Sequence, residues 1–203
     1  MTRTVVKICG ICDPGDAVAA ADAGADLIGV HLCPSKRRVD VEDARRIADA
    51  VRGRVRVVGV FIDASPDEVR RAREAAGLDL VQLHGEEEPA GYDEGVIKAL
   101  KVRDGRLPAA NGWSGPVLLD TWTADRQGGT GRPWDWRLAS PLVQERQVII
   151  AGGLTPETVG QVVAELHPYG VDVSSGVESE LRRKSPELMR AFVQAVRDAD
   201  RDG

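Results

Sequence analysis

The sequence predicts an α/β fold, a single-domain (β/α)8 TIM barrel with short loops that spans residues 1–203. Eight short segments rich in β-branched residues alternate with longer segments that have helical apolar spacing. The strand segments are nearly continuous in apolar residues, as expected for parallel strands buried on both faces. Because barrels of this type typically have about 250 residues, a chain of 203 residues must have short loops.

The predicted strands recur along the whole chain. They are Val5–Cys9, Leu27–Leu32, Val55–Phe61, Leu80–His84, Val96–Leu100, Val117–Asp120, Val148–Ala151 and Val171–Ser174. Eight such units favour a closed barrel over an open doubly wound sheet, which usually has fewer strands and often a G-x-G-x-x-G turn after the first. No such turn follows Cys9.

The predicted helices lie between these strands. They are Asp16–Ala23, Val41–Val51, Pro66–Ala76, Pro156–Leu166 and Pro186–Arg197. Several begin where a capping side chain precedes a proline suited to the first helical turn, as in Ser65-Pro66 and Ser185-Pro186. The helical pattern is weakest between the fourth and sixth strands, where proline and glycine interrupt residues 85–92 and 101–112.

Composition excludes several classes of protein. With 42% hydrophobic and 29% charged residues, the chain has enough apolar material for a folded core. A net charge of -5 with dispersed basic residues predicts no nucleic-acid partner. The three cysteines are an odd set typical of a reducing compartment, and no apolar run is long enough to cross a bilayer. We expect a soluble cytoplasmic protein without a membrane partner, and both monomer and homodimer stay open.

Polar residues at the carboxyl ends of the strands mark a candidate site, because catalytic groups of such barrels cluster there. Strand alternation puts Lys7 and Cys9 on the inward face of the first strand. The same argument gives inward polar residues on the fourth, sixth and eighth strands, namely Gln82, His84, Asp120, Asp172 and Ser174. A buried lysine needs a partner, so we predict that Lys7 pairs with Asp172 on the neighbouring eighth strand.

The cysteines and histidines differ in what they predict. A free cysteine often acts as a small buried hydrophobe, but Cys9 ends a strand, where a nearby ammonium would favour its thiolate. Cys12 and Cys33 are assigned no function, and the sequence lacks the spacing of a zinc site. His31 and His167 are expected to be surface or packing residues, whereas His84 is equally compatible with site and structure.

Two glycine-bearing turns predict a phosphate site. Gly152 and Gly153 follow the seventh strand, and the run Ser174, Ser175 and Gly176 follows the eighth. Backbone N–H groups of these two loops frequently converge on an anion in such barrels. Each glycine turn alone is also compatible with a tight left-handed turn. A third cluster at residues 128–131 is interpreted either as a substrate-covering loop or as a solvated linker.

Taken together, these motifs resemble one family, the phosphoribosylanthranilate isomerases of tryptophan biosynthesis. The motifs occur in order and span nearly the whole chain. They are KICGI at 7–11, QLHGE at 82–86, LLDT at 118–121, GGTG at 128–131, DW at 135–136, AGGL at 151–154 and VDVSSGVE at 171–178.

The resemblance implies an Amadori rearrangement of phosphoribosylanthranilate, a small phosphosugar, to the corresponding 1-deoxyribulose 5-phosphate. It implies Asp120 as general acid on the ring oxygen and Cys9 as general base at C2', with no metal and no organic cofactor. Arg37 matches the residue that contacts the anthranilate carboxylate. It also lies in a run of basic residues at 36–38, which is equally typical of a solvent-exposed segment. Asp172 matches an aspartate that assists binding.

The chain departs from the family pattern in two places. Residues 180–185 lack the usual glycine and Lys-Asp pair, so we expect a different loop there while Ser185 still caps the last helix. After the glycine of the second strand the chain reads VHLC at 30–33, where the family often has aromatic residues. The packing of the anthranilate ring should therefore differ.

Two other interpretations stay open at the level of sequence. One is a related phosphosugar barrel, either indole-glycerol-phosphate synthase or the dual-substrate isomerase that also serves histidine biosynthesis. The dual-substrate pattern has aspartate at the position of Cys9 and a second phosphate turn in the opposite half of the barrel. The other is a non-catalytic barrel that senses a phosphorylated metabolite, which would have no need for Cys9 and Asp120 together.

Overall fold

A computed structural model describes residues 3–121 and 134–202. Within them, eight parallel strands close into a barrel in sequence order, with β1 paired to β8. The strands are β1 Val5–Cys9, β2 Leu27–His31, β3 Arg56–Phe61, β4 Leu80–Leu83, β5 Val96–Val102, β6 Val117–Thr121, β7 Val148–Ile150 and β8 Gly170–Val173. The predicted barrel is confirmed. The first strand has the predicted bounds, and the ends of the other strands differ from the prediction by no more than two residues.

The helices pack around the outside of the barrel. They are α1 Pro14–Ala23, α2 Val41–Ala50, α3 Pro66–Ala76, α4 Ser140–Glu145, α5 Pro156–Leu166 and α6 Pro186–Asp202. Helix α6 continues well past the predicted end at Arg197. The Asp200 carboxylate accepts hydrogen bonds from the backbone N–H and hydroxyl of Thr4, which holds the last turn against the start of β1. None of the helices described is long and apolar enough to span a bilayer.

The strict alternation of strand and helix is interrupted in the middle of the chain. The described residues form no helix between β4 and β5 or between β5 and β6. The sequence did not predict the short 3-10 helix Trp136–Ala139 and α4 that follow β6. A small hairpin, β9 Glu178–Glu180 with β10 Arg183–Lys184, was also missed. This hairpin occupies the loop at 180–185 that departs from the family pattern. The Ser185 hydroxyl accepts a hydrogen bond from the Leu188 N–H, so Ser185 caps α6 as predicted.

A buried ion pair stabilises the barrel wall where these two helices are missing. The Lys98 ammonium on β5 lies 2.6 Å from Glu87 Oε2 and donates to the Gly85 carbonyl. Both charged side chains are almost fully buried. Lys98 Nζ also lies 5.5 Å from the centre of the Trp113 ring. A charged lysine thus replaces part of the apolar contact that a helix would make with the outer face of β5.

We predict that Glu87→Ala lowers the free energy of unfolding by about 3–5 kcal/mol, because it leaves the ammonium of Lys98 buried without its carboxylate. Urea unfolding at neutral pH measures this. Glu88 is the matched control because its side chain is exposed, and Glu88→Ala should change stability by no more than about 0.5 kcal/mol. Equal effects of the two substitutions would contradict a structural role for the Lys98 pair.

Alternation along the strands separates an interior from an outer core. Val6 and Ile8 of β1 pack in the outer core with the helices. Interior residues from the other strands form a second cluster around the barrel axis, including Leu27, Val58, Ile97, Leu118 and Ile149. Lys7 Nζ lies 2.8 Å from Asp172 Oδ1 in this interior, which confirms the predicted pair. The inward polar residues therefore lie between this apolar cluster and the carboxyl ends of the strands, where they line a cavity.

Candidate active site

One cavity at the carboxyl ends of the strands contains every site residue that the sequence predicted. The residues enter it from the ends of β1, β4, β6 and β8 and from the loops after β2, β7 and β8. They are Cys9, Arg37, Gln82, His84, Asp120, Gly152, Gly153, Asp172, Ser174, Ser175 and Gly176. The barrel thus brings together residues that are up to 167 positions apart, from Cys9 to Gly176.

Cys9 lies at the floor of this cavity with 4% of its surface exposed. Burial raises the pKa of the Cys9 thiol above its ordinary value, and the Lys7 ammonium offsets only part of that increase. Burial also acts to lower the pKa of Lys7, but Asp172 and Cys9 together outweigh burial and keep the amine charged. The balance favours the thiol form of Cys9, against the thiolate that the sequence analysis expected.

Asp120 is the next-to-last residue of β6, which lies on the other side of the barrel axis from β1 and β2. Its Oδ1 accepts a 2.7 Å hydrogen bond from the Thr121 N–H. Burial, followed by the negative charge of Asp172, raises the pKa of Asp120 to about 6. A carboxyl group with this pKa is about one tenth protonated at pH 7, far more than an ordinary aspartate.

His84 and Gln82 extend from the end of β4 towards Asp120. Gln82 Nε2 lies 3.2 Å from His84 Nδ1, and His84 Nε2 lies 3.7 Å from Asp120 Oδ2. Burial, aided by the positive charges of Lys101 and Lys7, lowers the pKa of His84 to about 3. The His84 ring is therefore neutral, and its approach to Asp120 is a polar contact and not an ion pair.

Arg37 is held by a carboxylate of the protein itself. Its Nε and Nη2 each donate a 2.6 Å hydrogen bond to Glu178, a bidentate arrangement. Glu178 also lies 3.2 Å from Lys184 Nζ, which donates to the Ser174 carbonyl. The hairpin β9–β10 therefore supplies two charged groups, Glu178 and Lys184, that fix Arg37 at the rim of the cavity.

The two predicted phosphate turns have backbone that favours glycine. Gly152 and Gly153 have φ values of +86° and +77°, in the left-handed region where a side chain is strained. A Cβ on Gly152 would lie 2.3 Å from Thr121 Oγ1, and one on Gly176 would lie 2.1 Å from the Leu154 carbonyl oxygen. Larger residues are therefore excluded from both turns. The turns border the same end of the cavity, immediately before α5 and within the 3-10 helix Ser175–Val177.

Sequence reasoning missed three residues of the site. His31 was expected at the surface or in packing, but it lines the cavity, and its Nε2 lies 3.3 Å from Cys9 Sγ. Lys101 also lines the cavity, opposite Asp120 in the register of β5 and β6. Lys184 is buried beneath the rim. Strand alternation was a usable signal for His31 and Lys101, since each shares parity with inward residues such as Leu27 and Ala99.

The remaining sequence predictions have mixed outcomes. His167 is the left-handed residue that ends α5, a structural position as expected. Cys33 lines the cavity, and burial, with a contribution from Cys9, raises its pKa to about 12, so it stays a thiol. Cys12 lies outside the cavity lining. The glycine cluster at residues 128–131 lies outside the described residues.

Comparison with known proteins places the chain in a family. Residues 6–195 match the family model described as N-(5'phosphoribosyl)anthranilate (PRA) isomerase. The chain belongs to this family. A relative from Rubrobacter xylanophilus, named N-(5'-phosphoribosyl)anthranilate isomerase, is 46% identical over 206 aligned residues that cover 95% of this chain and 98% of the relative. The chain is therefore an isomerase of tryptophan biosynthesis, as the resemblance in its sequence implied.

Solved structures of the same family share the whole fold. The Thermotoga maritima phosphoribosyl anthranilate isomerase superposes with a TM-score of 0.83 at 33% identity, covering 96% of this chain and 99% of that one. A second phosphoribosyl anthranilate isomerase, with a TM-score of 0.81 and 32% identity at the same coverages, was solved with reduced 1-(o-carboxyphenylamino)-1-deoxyribulose 5-phosphate. That ligand carries a phosphate, a sugar chain and a carboxyphenyl group.

Proposed function

We propose that this chain converts N-(5'-phosphoribosyl)anthranilate to 1-(2-carboxyphenylamino)-1-deoxyribulose 5-phosphate, with Asp120 as general acid and Cys9 as general base. The observation that carries this proposal is that both groups line one cavity that also contains the two glycine turns. An anion at those turns would fix one end of a sugar, so that its ring lies between the carboxyl group and the sulfur.

The proposed reaction needs one acid and one base. Protonated Asp120 donates its proton to the furanose ring oxygen as the C1'–O bond breaks, which gives the open-chain Schiff base. The Cys9 thiolate then removes the proton from C2', and the electron pair of that C–H bond moves to form the enolamine. Tautomerisation of the enolamine to the ketone adds a proton at C1' and removes the proton of the C2' hydroxyl. Loss of one proton from Cys9 and return of one to Asp120 restore the starting state, so that the overall change is an isomerisation.

The cavity also offers groups for both ends of the substrate. The Arg37 guanidinium is bound to Glu178 through Nε and Nη2. We propose that the substrate carboxylate meets Arg37 at Nη1. The apolar side chains that line the cavity are aliphatic or sulfur-containing, including Val60, Ile62 and Leu154, and none of the described lining residues is Phe, Tyr or Trp. The anthranilate ring would therefore pack against aliphatic surface.

Asp172 and the pair Gln82 and His84 have supporting roles in this proposal. Asp172 keeps Lys7 charged beneath Cys9, and its negative charge helps to keep Asp120 protonated. His84 is neutral and lies beside Asp120. A positive charge at this place would lower the pKa of Asp120, and neutral His84 does not add one. Gln82 and His84 are also placed to contact the sugar hydroxyls, because both line the cavity.

The reaction needs protonated Asp120 together with the Cys9 thiolate, but Asp120 has the lower pKa of the two and loses its proton first. The Asp120 pKa is about 6, and the Cys9 pKa is raised by burial from an ordinary value already near 9. Between these values most molecules carry the single proton on sulfur and not on the carboxyl. Because the ratio of the two microstates follows the pKa difference, the form that has the acid and the thiolate together is the minor one.

We predict a bell-shaped pH profile of kcat/KM, since the active microstate carries one proton shared between Asp120 and Cys9. Activity should fall below pH about 6, because Asp120 and Cys9 are then both protonated in most molecules. It should fall again at alkaline pH, because Cys9 also loses its proton and no proton is left for Asp120. Steady-state rates between pH 5 and 10 measure this. In Asp120→Asn the limb near pH 6 should disappear from the residual activity. Its persistence would assign that limb to another group.

The experiment that tests the activity uses the purified chain with N-(5'-phosphoribosyl)anthranilate and follows the change in anthranilate fluorescence. Turnover supports the proposal, and its absence, with binding retained, would favour a metabolite-sensing barrel. A second reaction mixture contains the phosphoribosyl aminoaldose of histidine biosynthesis. Turnover of that compound at a comparable rate would contradict the specificity that Cys9 implies.

The same proposal covers location and partners. All three cysteines are free thiols, as suits the cytoplasm. The proposed partner is a small phosphosugar and not a nucleic acid, and the protein works as a monomer or a homodimer. Light scattering on the purified chain decides between these two states.

A further inference from the structure

We propose that His31 is a positioning residue for Cys9, hydrogen-bonding the sulfur through Nε2 and stabilising its thiolate with a neutral donor. The inference rests on the proposed role of Cys9 as base. It assigns to this chain a chain of hydrogen bonds from Ser35 through His31 to Cys9 inside the active-site cavity.

The geometry joins three side chains in a line. Cys9 Sγ lies 3.3 Å from His31 Nε2, within hydrogen-bonding range for sulfur, and His31 Nδ1 lies 2.7 Å from Ser35 Oγ. Both ring nitrogens are therefore engaged, and all three residues line the cavity. Cys9 and Gly29 are partners in the β1–β2 register, so His31, two residues further on, faces the same interior.

The hydrogen bonds of Ser35 are compatible with the His31 tautomer that donates to sulfur. The Ser35 Oγ accepts a hydrogen bond of 3.1 Å from the Arg37 N–H. The hydroxyl proton of Ser35 is then available to His31 Nδ1, because a serine hydroxyl has one donor and two lone pairs. With Nδ1 accepting, the single ring proton lies on Nε2 and points at Cys9 Sγ. A donor aimed at the thiolate lowers the thiol pKa.

His31 remains neutral in this arrangement. Burial, with a further contribution from the Lys7 ammonium, lowers its pKa to about 3. The imidazole therefore stabilises the thiolate by a hydrogen bond and does not take the Cys9 proton. This matters because the productive microstate needs protonated Asp120 together with charged sulfur, and each unit by which the Cys9 pKa falls makes that microstate about tenfold more abundant.

Other charged or titratable groups also act on Cys9 and must be separated from His31. They are Lys7 on β1, Arg37 and Cys33 after β2, Asp172 on β8 and Lys184 on β10. A substitution at His31 leaves all of these side chains in place, so a change in the Cys9 titration reports the loss of the imidazole contact.

The test measures the Cys9 pKa directly. The full chain is alkylated with iodoacetamide between pH 6 and 10.5, and tandem mass spectrometry separates Cys9 from Cys12 and Cys33. In His31→Phe the alkylation midpoint of Cys9 should rise by about one unit, a tenfold loss of thiolate at a given pH. The kcat should fall by a similar factor with little change in KM. His31→Gln should restore most of both, because its amide places a donor near the position of Nε2.

Ser35→Ala provides a milder variant in case His31→Phe does not fold, and it should raise the same midpoint by a smaller amount. An unchanged Cys9 midpoint in both His31→Phe and Ser35→Ala would overturn the inference. So would a rise in His31→Phe that His31→Gln does not reverse, since packing alone would then explain it. Because alkylation needs no turnover, this outcome is distinct from failure of the proposed activity.

Discussion

Replacement of Cys9 by serine should lower kcat by roughly 10²- to 10⁴-fold, the usual contribution of a positioned acid or base. Serine preserves the shape of the side chain at the end of β1. Its hydroxyl, however, is far less acidic than a thiol, so it cannot hold the negative charge that removes the C2' proton. The Lys7–Asp172 pair beneath it is expected to remain intact, because Lys7 donates to Asp172 independently of Cys9.

The measurement is the initial rate of fluorescence change with saturating N-(5'-phosphoribosyl)anthranilate. Cys12→Ser is the matched control, since Cys12 lies three positions away and outside the cavity lining. Its thiol is near the carbonyl oxygens of Gly10 and Arg37, which a serine hydroxyl can also reach. Cys12→Ser should retain activity within a few-fold. If Cys9→Ser keeps the wild-type rate, Cys9 is not the base.

Asp120→Asn should have two effects of opposite sign. The kcat should fall by roughly 10²- to 10⁴-fold, because an amide cannot donate the proton that opens the furanose ring. At pH 8 the variant should nevertheless be more stable than the wild type by about 1–2 kcal/mol, allowing for the partial exposure of the side chain. A carboxylate that burial and Asp172 destabilise is replaced by a neutral group of the same size.

The sign of the stability effect follows from the raised pKa of Asp120. Its value is about 6 in the folded chain, against an ordinary value of 3.8. As the pH rises from 3.8 to 6, the unfolded chain loses this proton first, so the wild type loses stability over that interval and keeps the full penalty above it.

Urea unfolding of the wild type and Asp120→Asn at pH 4 and pH 8 measures the difference. The gain in Asp120→Asn should be present at pH 8 and nearly absent at pH 4. A loss of stability at both pH values would mean that the native Asp120 is not strained by burial. Activity lost together with stability gained would exclude misfolding as the reason for inactivity.

Much of the fold could be predicted because its signals are local and periodic. β-branched runs such as Val148–Ile150 repeat through the chain, and α3, α5 and α6 each begin at a proline that follows Ser or Thr. Such signals depend on residues close in sequence. They are weakest between β4 and β6, where the described residues form no helix. They gave no sign of the contact between Lys98 and Glu87 that completes the wall at β5, because that contact depends on the fold and not on a period.

The site was predictable to the extent that it follows strand alternation and strand ends. Three inward-facing residues, Cys9, Asp120 and Asp172, lie at or near the carboxyl ends of their strands. Closure of the barrel therefore brings them into one cavity. His31 obeyed the same rule but was assigned to packing, because a lone histidine carries no signature of its own. Its function becomes visible only through its contact with Cys9 Sγ.

The sequence by itself determined the barrel, the order of its strands, the inward parity of Lys7 and Cys9, and the family to which the chain is related. Only the tertiary structure decided how the charges are arranged: Arg37 bound by Glu178, Lys184 buried beneath the rim, Cys9 kept as a thiol and Asp120 raised to a pKa of about 6. The reason is physical. Periodicity reports which face of a strand a residue occupies, whereas pKa values and ion pairs depend on burial and on distances between atoms far apart in the chain.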